Sequence, residues 1–180
     1  AKVYVDRSEL KSYRFTLYHG YKVKQVTDQT GAALDFRREY DYVTVTRGGA
    51  AVEYLCLEYT GKSPKYYSSY AGVCLPANFA YYPIPGYREL FKDNFYGFID
   101  CSLPYDTAFD VRCSGRKQMY CNLAARGDNH FAGNARSITL LSGFYDTLKL
   151  NDTLVVYPKY ADTEIRARIK KNMGTFTKEH

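Results

Sequence analysis

The chain has 180 residues, 46% of them hydrophobic and 24% charged, with a formal net charge of +6. This is a globular composition, long enough for one domain with a sizeable core. No apolar run approaches the roughly 20 residues of a membrane span, and the basic excess falls short of an Arg-rich nucleic-acid arm.

Lys2–Asp6 alternates briefly. Arg14–Thr27 is rich in Phe, Tyr, Val and Thr and predicts two strand pieces around His19-Gly20. Asp28-Gln29-Thr30-Gly31 reads as a turn. In the strand Tyr42–Thr46, Val43 and Val45 face one way and Thr44 and Thr46 the other. Arg47-Gly48-Gly49 breaks the run, as a turn or bulge in which Gly supplies the unusual backbone angles. Val52–Tyr59 follows, with Leu55, Leu57 and Tyr59 on one face and Val52, Tyr54 and Cys56 on the other. Both faces are apolar, which predicts a central strand.

Lys62–Lys65 reads as a loop and Tyr70–Leu75 as a strand closing on Pro76. Tyr87–Phe95 predicts a short helix, with Tyr87, Leu90 and Phe91 at i, i+3 and i+4. Further strands are expected at Gly97–Leu103, Thr107–Cys113 and Met119–Leu123. Ala124–Asn134 reads as a Gly, Asn and Asp loop. Ser137–Leu141, Thr147–Leu150 and Thr153–Tyr157 complete the apolar runs, with a hairpin-like break at Asn151-Asp152. Thr163–Lys170 alternates, placing Ile165, Ala167 and Ile169 inward and Glu164, Arg166, Arg168 and Lys170 outward. Residues 172–180 read as an extended polar tail. Short strands with turn signals roughly every 8–12 residues predict an all-β fold, a jelly-roll β-sandwich of about eight strands with one short helix, in a single domain.

The chain carries 20 Tyr and no Trp. That many rings cannot all lie in one core, so some are expected at subunit interfaces or on a ligand face. Tyr66, Tyr67, Tyr70, Tyr81, Tyr82 and Tyr87 form the candidate group. The five Cys are odd in number and form no CxxC pair, which argues for free thiols in a reducing compartment and against a zinc site. A Cys–His pair between His130 and Cys113 or Cys121 has no supporting motif, so no catalytic residue, metal or cofactor is assigned. Arg166, Arg168, Lys170 and Lys171 form a basic stripe that fits RNA phosphates or an acidic partner, or a solvated edge. Arg126-Gly127-Asp128 in the polar loop is a candidate receptor contact, or an ordinary turn.

Two stretches carry a resemblance. Tyr42-Val43-Thr44-Val45-Thr46-Arg47-Gly48-Gly49 runs into Val52–Gly61, and Ala71–Pro76 forms the return strand. Phe98–Tyr105 ends on an aliphatic-Pro-aromatic step, although Asp106 then stands where an aromatic is usual. In pattern and order, roughly from Phe36 to Lys170, the chain resembles jelly-roll capsid proteins of picorna-like viruses, small icosahedral RNA viruses. The resemblance implies a non-enzymatic capsid protein that self-assembles into an icosahedral shell around a genome. Its partners would be other capsid subunits, genomic RNA and a host receptor; assembly would occur in the host cytoplasm, and the protein would reside in the virion. A secreted glycan-binding β-sandwich, a lectin, is the alternative. It predicts paired cysteines and a glycan at Asn151.

Overall fold

The computed structural model describes residues 1–5, 10–49, 51–88, 101–150 and 153–179. The protein is mostly β, with fifteen strands among the described residues and one 17-residue helix. The strands are β1 (Lys2–Tyr4), β2 (Ser12–Thr16), β3 (Tyr21–Thr27), β4 (Phe36–Glu39), β5 (Tyr42–Thr46), β6 (Tyr54–Gly61), β7 (Gly72–Leu75) and β8 (Ile84–Pro85). They continue as β9 (Thr107–Arg112), β10 (Met119–Cys121), β11 (Ala124–Gly127), β12 (His130–Ala135), β13 (Leu140–Gly143), β14 (Tyr145–Leu150) and β15 (Thr153–Pro158). Helix α1 spans Thr163–Glu179. The strands are shorter and more numerous than the sequence pattern marks out.

Two compact units divide the chain. The first takes in Ala1–Pro64, Leu75–Ala108 and Asn134–Ile138. Its sheets run β1-β6-β3 and β4-β5-β2-β8, antiparallel at the paired registers. A single cluster joins them: Tyr13, Phe15, Val43 and Val45 from one sheet, Val26, Leu55 and Leu57 from the other. These are the alternate positions of their strands, so each strand gives one face to the cluster. Fully burying a side chain such as Leu55 or Leu57 stabilises by roughly 1.5–3 kcal/mol. As expected, β6 is central and Val43 and Val45 share the buried face. Val52 differs. It lies before β6, where strand parity does not apply, and joins the core at 1% exposure.

The turn at Asp28 forms as its residues dictate. The Asp28 carboxylate accepts the Thr30 hydroxyl (2.6 Å) and the Thr30 and Ala32 N–H groups (2.8 and 3.1 Å). Gly31 sits at φ +85°, where a side chain would be strained. The Thr30 hydroxyl and these N–H donors hold the Asp28 carboxyl below the usual carboxylate range.

The second unit takes in Lys65–Cys74, Phe109–Gly133 and Thr139–His180. Its sheets run β10-β13-β7, β11-β12-β9 and β14-β15. Three expectations are corrected here. Ala124–Asn134 is not a loop but the β11–β12 hairpin, turning at Asp128-Asn129 with Asn129 at φ 51°. Its backbone ladder needs no apolar alternation, and Phe131 alone anchors it at 6% exposure.

Thr163–Lys170 is not a strand, and residues 172–179 are not an extended tail: α1 runs through to Glu179. Asp162 caps it, its Oδ1 accepting the Ile165 N–H at 2.8 Å and its carbonyl the Arg166 N–H. Ile165, Ala167 and Ile169 fit a period of two, but Ile165, Ile169 and Met173 fit the helical i, i+4, i+8 series equally well. The cap and a run of Glu, Arg, Ala and Lys decide for the helix. The helix predicted over Tyr87–Phe95 falls, beyond Arg88, outside the described residues, as do Gly97–Asp100 and the Asn151-Asp152 break.

Candidate functional site

Helix geometry redistributes the basic residues. Successive side chains are 100° apart on a helix, against 180° on a strand. Arg166 and Lys170, four apart, therefore flank one side of the Ile165–Ile169–Met173 stripe and Arg168 the other, while Lys171 falls on the opposite face. Met173 is buried, Ile169 half-buried, and Ile165 46% exposed.

Arg166 is committed to its own unit. Its Nη2 donates to the Lys159 carbonyl (2.6 Å) and its Nε to the Ala161 carbonyl (3.0 Å). Asp146 lies 3.6 Å from the same guanidinium. Arg168, Lys170 and Lys171 are exposed. The predicted single stripe is thus an anchor plus three outward cations.

Arg126, Gly127 and Asp128 stand at the tip of the β11–β12 hairpin, all exposed, with Gly127 paired to His130 across the turn. A bulge between Ala125 and Gly127 offsets the register there. The anion thus stands in a two-residue turn and the cation on the bulged strand beside it.

The tyrosines separate. Tyr66, Tyr67 and Tyr70 belong to the second unit and Tyr81, Tyr82 and Tyr87 to the first. Tyr66 is 75% and Tyr70 77% exposed, and the Tyr66 and Tyr67 rings tilt together at 4.5 Å. Tyr87 is exposed and stacks on Tyr42 at 4.5 Å. Tyr81 and Tyr82 are half-buried in a run of touching rings. That run passes from Tyr18 through Phe79 to Tyr81 and Tyr82 at centroid spacings of 5.1, 6.3 and 5.0 Å. These two rings are partly interior, with the rest of each left at the surface where the sequence predicts an interface.

The His130 imidazole is held by Asp110, Nε2 to Oδ2 at 3.0 Å. That hydrogen bond, with the one from Arg112, keeps the Asp110 carboxyl below the usual range. Burial pushes the Cys113 and Cys121 thiols up. A nucleophilic thiolate needs the opposite shift. Among the described residues, no group of three or more His, Cys, Asp or Glu is arranged to hold a metal ion. No described helix is long and apolar enough to cross a membrane.

Sequence reasoning passed over a polar knot in the first unit. Asp41, 2% exposed, accepts the His19 backbone N–H at 2.7 Å and lies 3.0 Å from His19 Nδ1. The imidazole stacks on Tyr40 at 4.3 Å, and Tyr40 sits at φ 51°. Arg38 donates to the Leu17, Tyr18 and Tyr40 carbonyls. The knot ties the β4–β5 turn to the end of β2. Its only sequence signal is Tyr40-Asp41 between two β-forming runs.

No protein-family model, curated protein or solved structure matches the chain.

Proposed function

We propose that the chain is a structural assembly protein of the capsid type, a jelly-roll subunit that packs with copies of itself or related chains into a shell around a genome. One observation carries the reading: tyrosines are displayed on a β framework. Tyr4, Tyr40, Tyr66, Tyr70, Tyr87, Tyr105 and Tyr160 are 55–78% exposed. Lateral packing would cover such rings, and aromatic anchors are where association energy concentrates. In this reading Arg168, Lys170 and Lys171 contact genomic RNA, the Arg126-Gly127-Asp128 tip contacts a host receptor, and assembly takes place in the host cytoplasm.

A glycan-binding module of the lectin type is the second reading, favoured by the exposed Tyr66 ring against the half-buried Tyr67 as a sugar platform. Light scattering and negative-stain imaging of one sample, with its nucleic-acid absorbance ratio, separate the two. Uniform shells tens of nanometres across support the capsid reading, and a raised ratio adds packaged nucleic acid. A monomer that binds glycan and fails to assemble with any co-expressed partner chain overturns it.

A further inference from the structure

Strand β10 is an outer strand of its sheet, paired with β13 on one side. The register fixes which backbone groups are spent. The Gln118 carbonyl accepts the Gly143 N–H and the Asn122 N–H donates to the Thr139 carbonyl, so positions 118, 120 and 122 turn their groups toward β13. By antiparallel alternation, Met119 and Cys121 turn theirs away from it. The Gln118 side-chain amide touches the Met119 carbonyl only weakly, at 3.5 Å.

Outer strands are ordinarily guarded by charge, proline or a bulge. β11 has such guards in Arg126 and the bulge beside it. β10, only three residues long, reads Met119-Tyr120-Cys121 and carries no charge, proline or bulge of its own. Beside it lies a groove of about 880 Å³ within the second unit. Its apolar lining includes Leu123 and Phe131, 7% and 6% exposed, and Leu154 and Val156 at alternate positions of β15. Leu154 is 53% exposed, so this apolar surface is open. Arg116 and Lys117 also line the groove, against a single carboxylate among the described residues, at Asp128.

We infer that this groove takes an extended, acidic segment of a partner protein, which adds as a strand to the outer edge of β10. The partner's backbone pairs with the outward groups of Met119 and Cys121. Its apolar side chains, on every second residue, meet Leu154 and Val156. Its carboxylates meet Arg116 and Lys117. This is recognition by strand addition, in which the main chain gives affinity and alternate side chains give selectivity.

The test uses the full chain and two labelled Val-Thr-repeat peptides, one flanked by Glu pairs and its twin by Lys pairs. Fluorescence anisotropy should show saturable binding of the Glu-flanked peptide alone. N-methylation of its alternate backbone amides should abolish binding. Hydrogen exchange should slow at Met119 and Cys121 in the complex. The double variant R116E/K117E, at two exposed positions, should bind at least about tenfold more weakly, a difference of roughly 1.4 kcal/mol, and L154D should bind weakly too. No saturable binding, equal binding of the Lys-flanked twin, or binding that survives N-methylation overturns the inference. So does a concentration-dependent dimer that protects the same two amides, which would give the edge to a second copy of the chain.

Discussion

Gly72 and Gly143 lie back to back where β7 meets β13. A Cβ added to Gly72 would come within 2.6 Å of Gly143 Cα and strike the Ser142 carbonyl; one added to Gly143 would come within 2.7 Å of Gly72 Cα and strike the Ala71 carbonyl. Both have positive φ, +150° and +159°. The obstacle on each side is backbone, so no side-chain rearrangement relieves it. G72A and G143A are each expected to destabilise the second unit by roughly 1–3 kcal/mol or more, seen as a lower denaturation midpoint. A wild-type midpoint for either would refute the close approach.

Tyr59 gives the protein an alkaline limit. Burial, with the neighbouring Tyr21, pushes its hydroxyl up from 10.0 to about 12. The folded state favours the neutral phenol. This contribution is therefore complete below pH 10 and is lost as pH rises toward about 12. Denaturation midpoints should fall across that window, and the fall should be shallower in Y59F. That variant should also lose roughly 0.5–1.5 kcal/mol at neutral pH, because the Tyr59 hydroxyl donates to the Tyr81 carbonyl at 3.2 Å.

Asp41 is the acceptor on which the β4–β5 turn depends. D41A removes a buried carboxylate and strands the His19 N–H, costing roughly 1–3 kcal/mol. D41N keeps one acceptor and should cost less. Thermal unfolding of the two variants beside wild type checks the order; equal midpoints for all three would contradict this role.

The cations of α1 should divide by function. R166A releases the Lys159 and Ala161 carbonyls and should fray the helix, lowering helical circular dichroism. Charge reversal at Arg168, Lys170 and Lys171 should leave the fold intact and, in the capsid reading, reduce packaged RNA with a flatter salt dependence. Unchanged packaging would remove these three from the RNA contact.

Raised thiol pKa values predict slow chemistry. Burial disfavours the Cys74, Cys113 and Cys121 thiolates. Iodoacetamide should label them more slowly than a free cysteine peptide at neutral pH, with rates that climb steeply as pH rises. Faster-than-peptide labelling of Cys113 or Cys121 would reopen the thiol-nucleophile reading.

Legibility followed the strength of local pattern. β5 and β6 were visible as alternating Val and Leu, because one face of each had to be buried. The Asp28 turn was visible because its bonds are local. The β11–β12 hairpin was missed because its residues carry almost no apolar period, and α1 was misread because Ile165 and Ile169 satisfy two periods at once. Of the candidate site residues, Arg126–Asp128 came out exposed as expected, Arg166 proved to be an anchor, and Tyr81 and Tyr82 proved partly interior.

By itself the sequence determined the β character, the central place of β6 and the inward face of β5. Burial of apolar side chains on a pleated strand depends only on spacing along the chain. Tertiary structure alone decided the Asp41–His19 contact, the Gly72–Gly143 approach and the open edge of β10 beside Leu154 and Val156. Each depends on register between segments distant in sequence, and a one-residue slip in register would send every side chain to the opposite face.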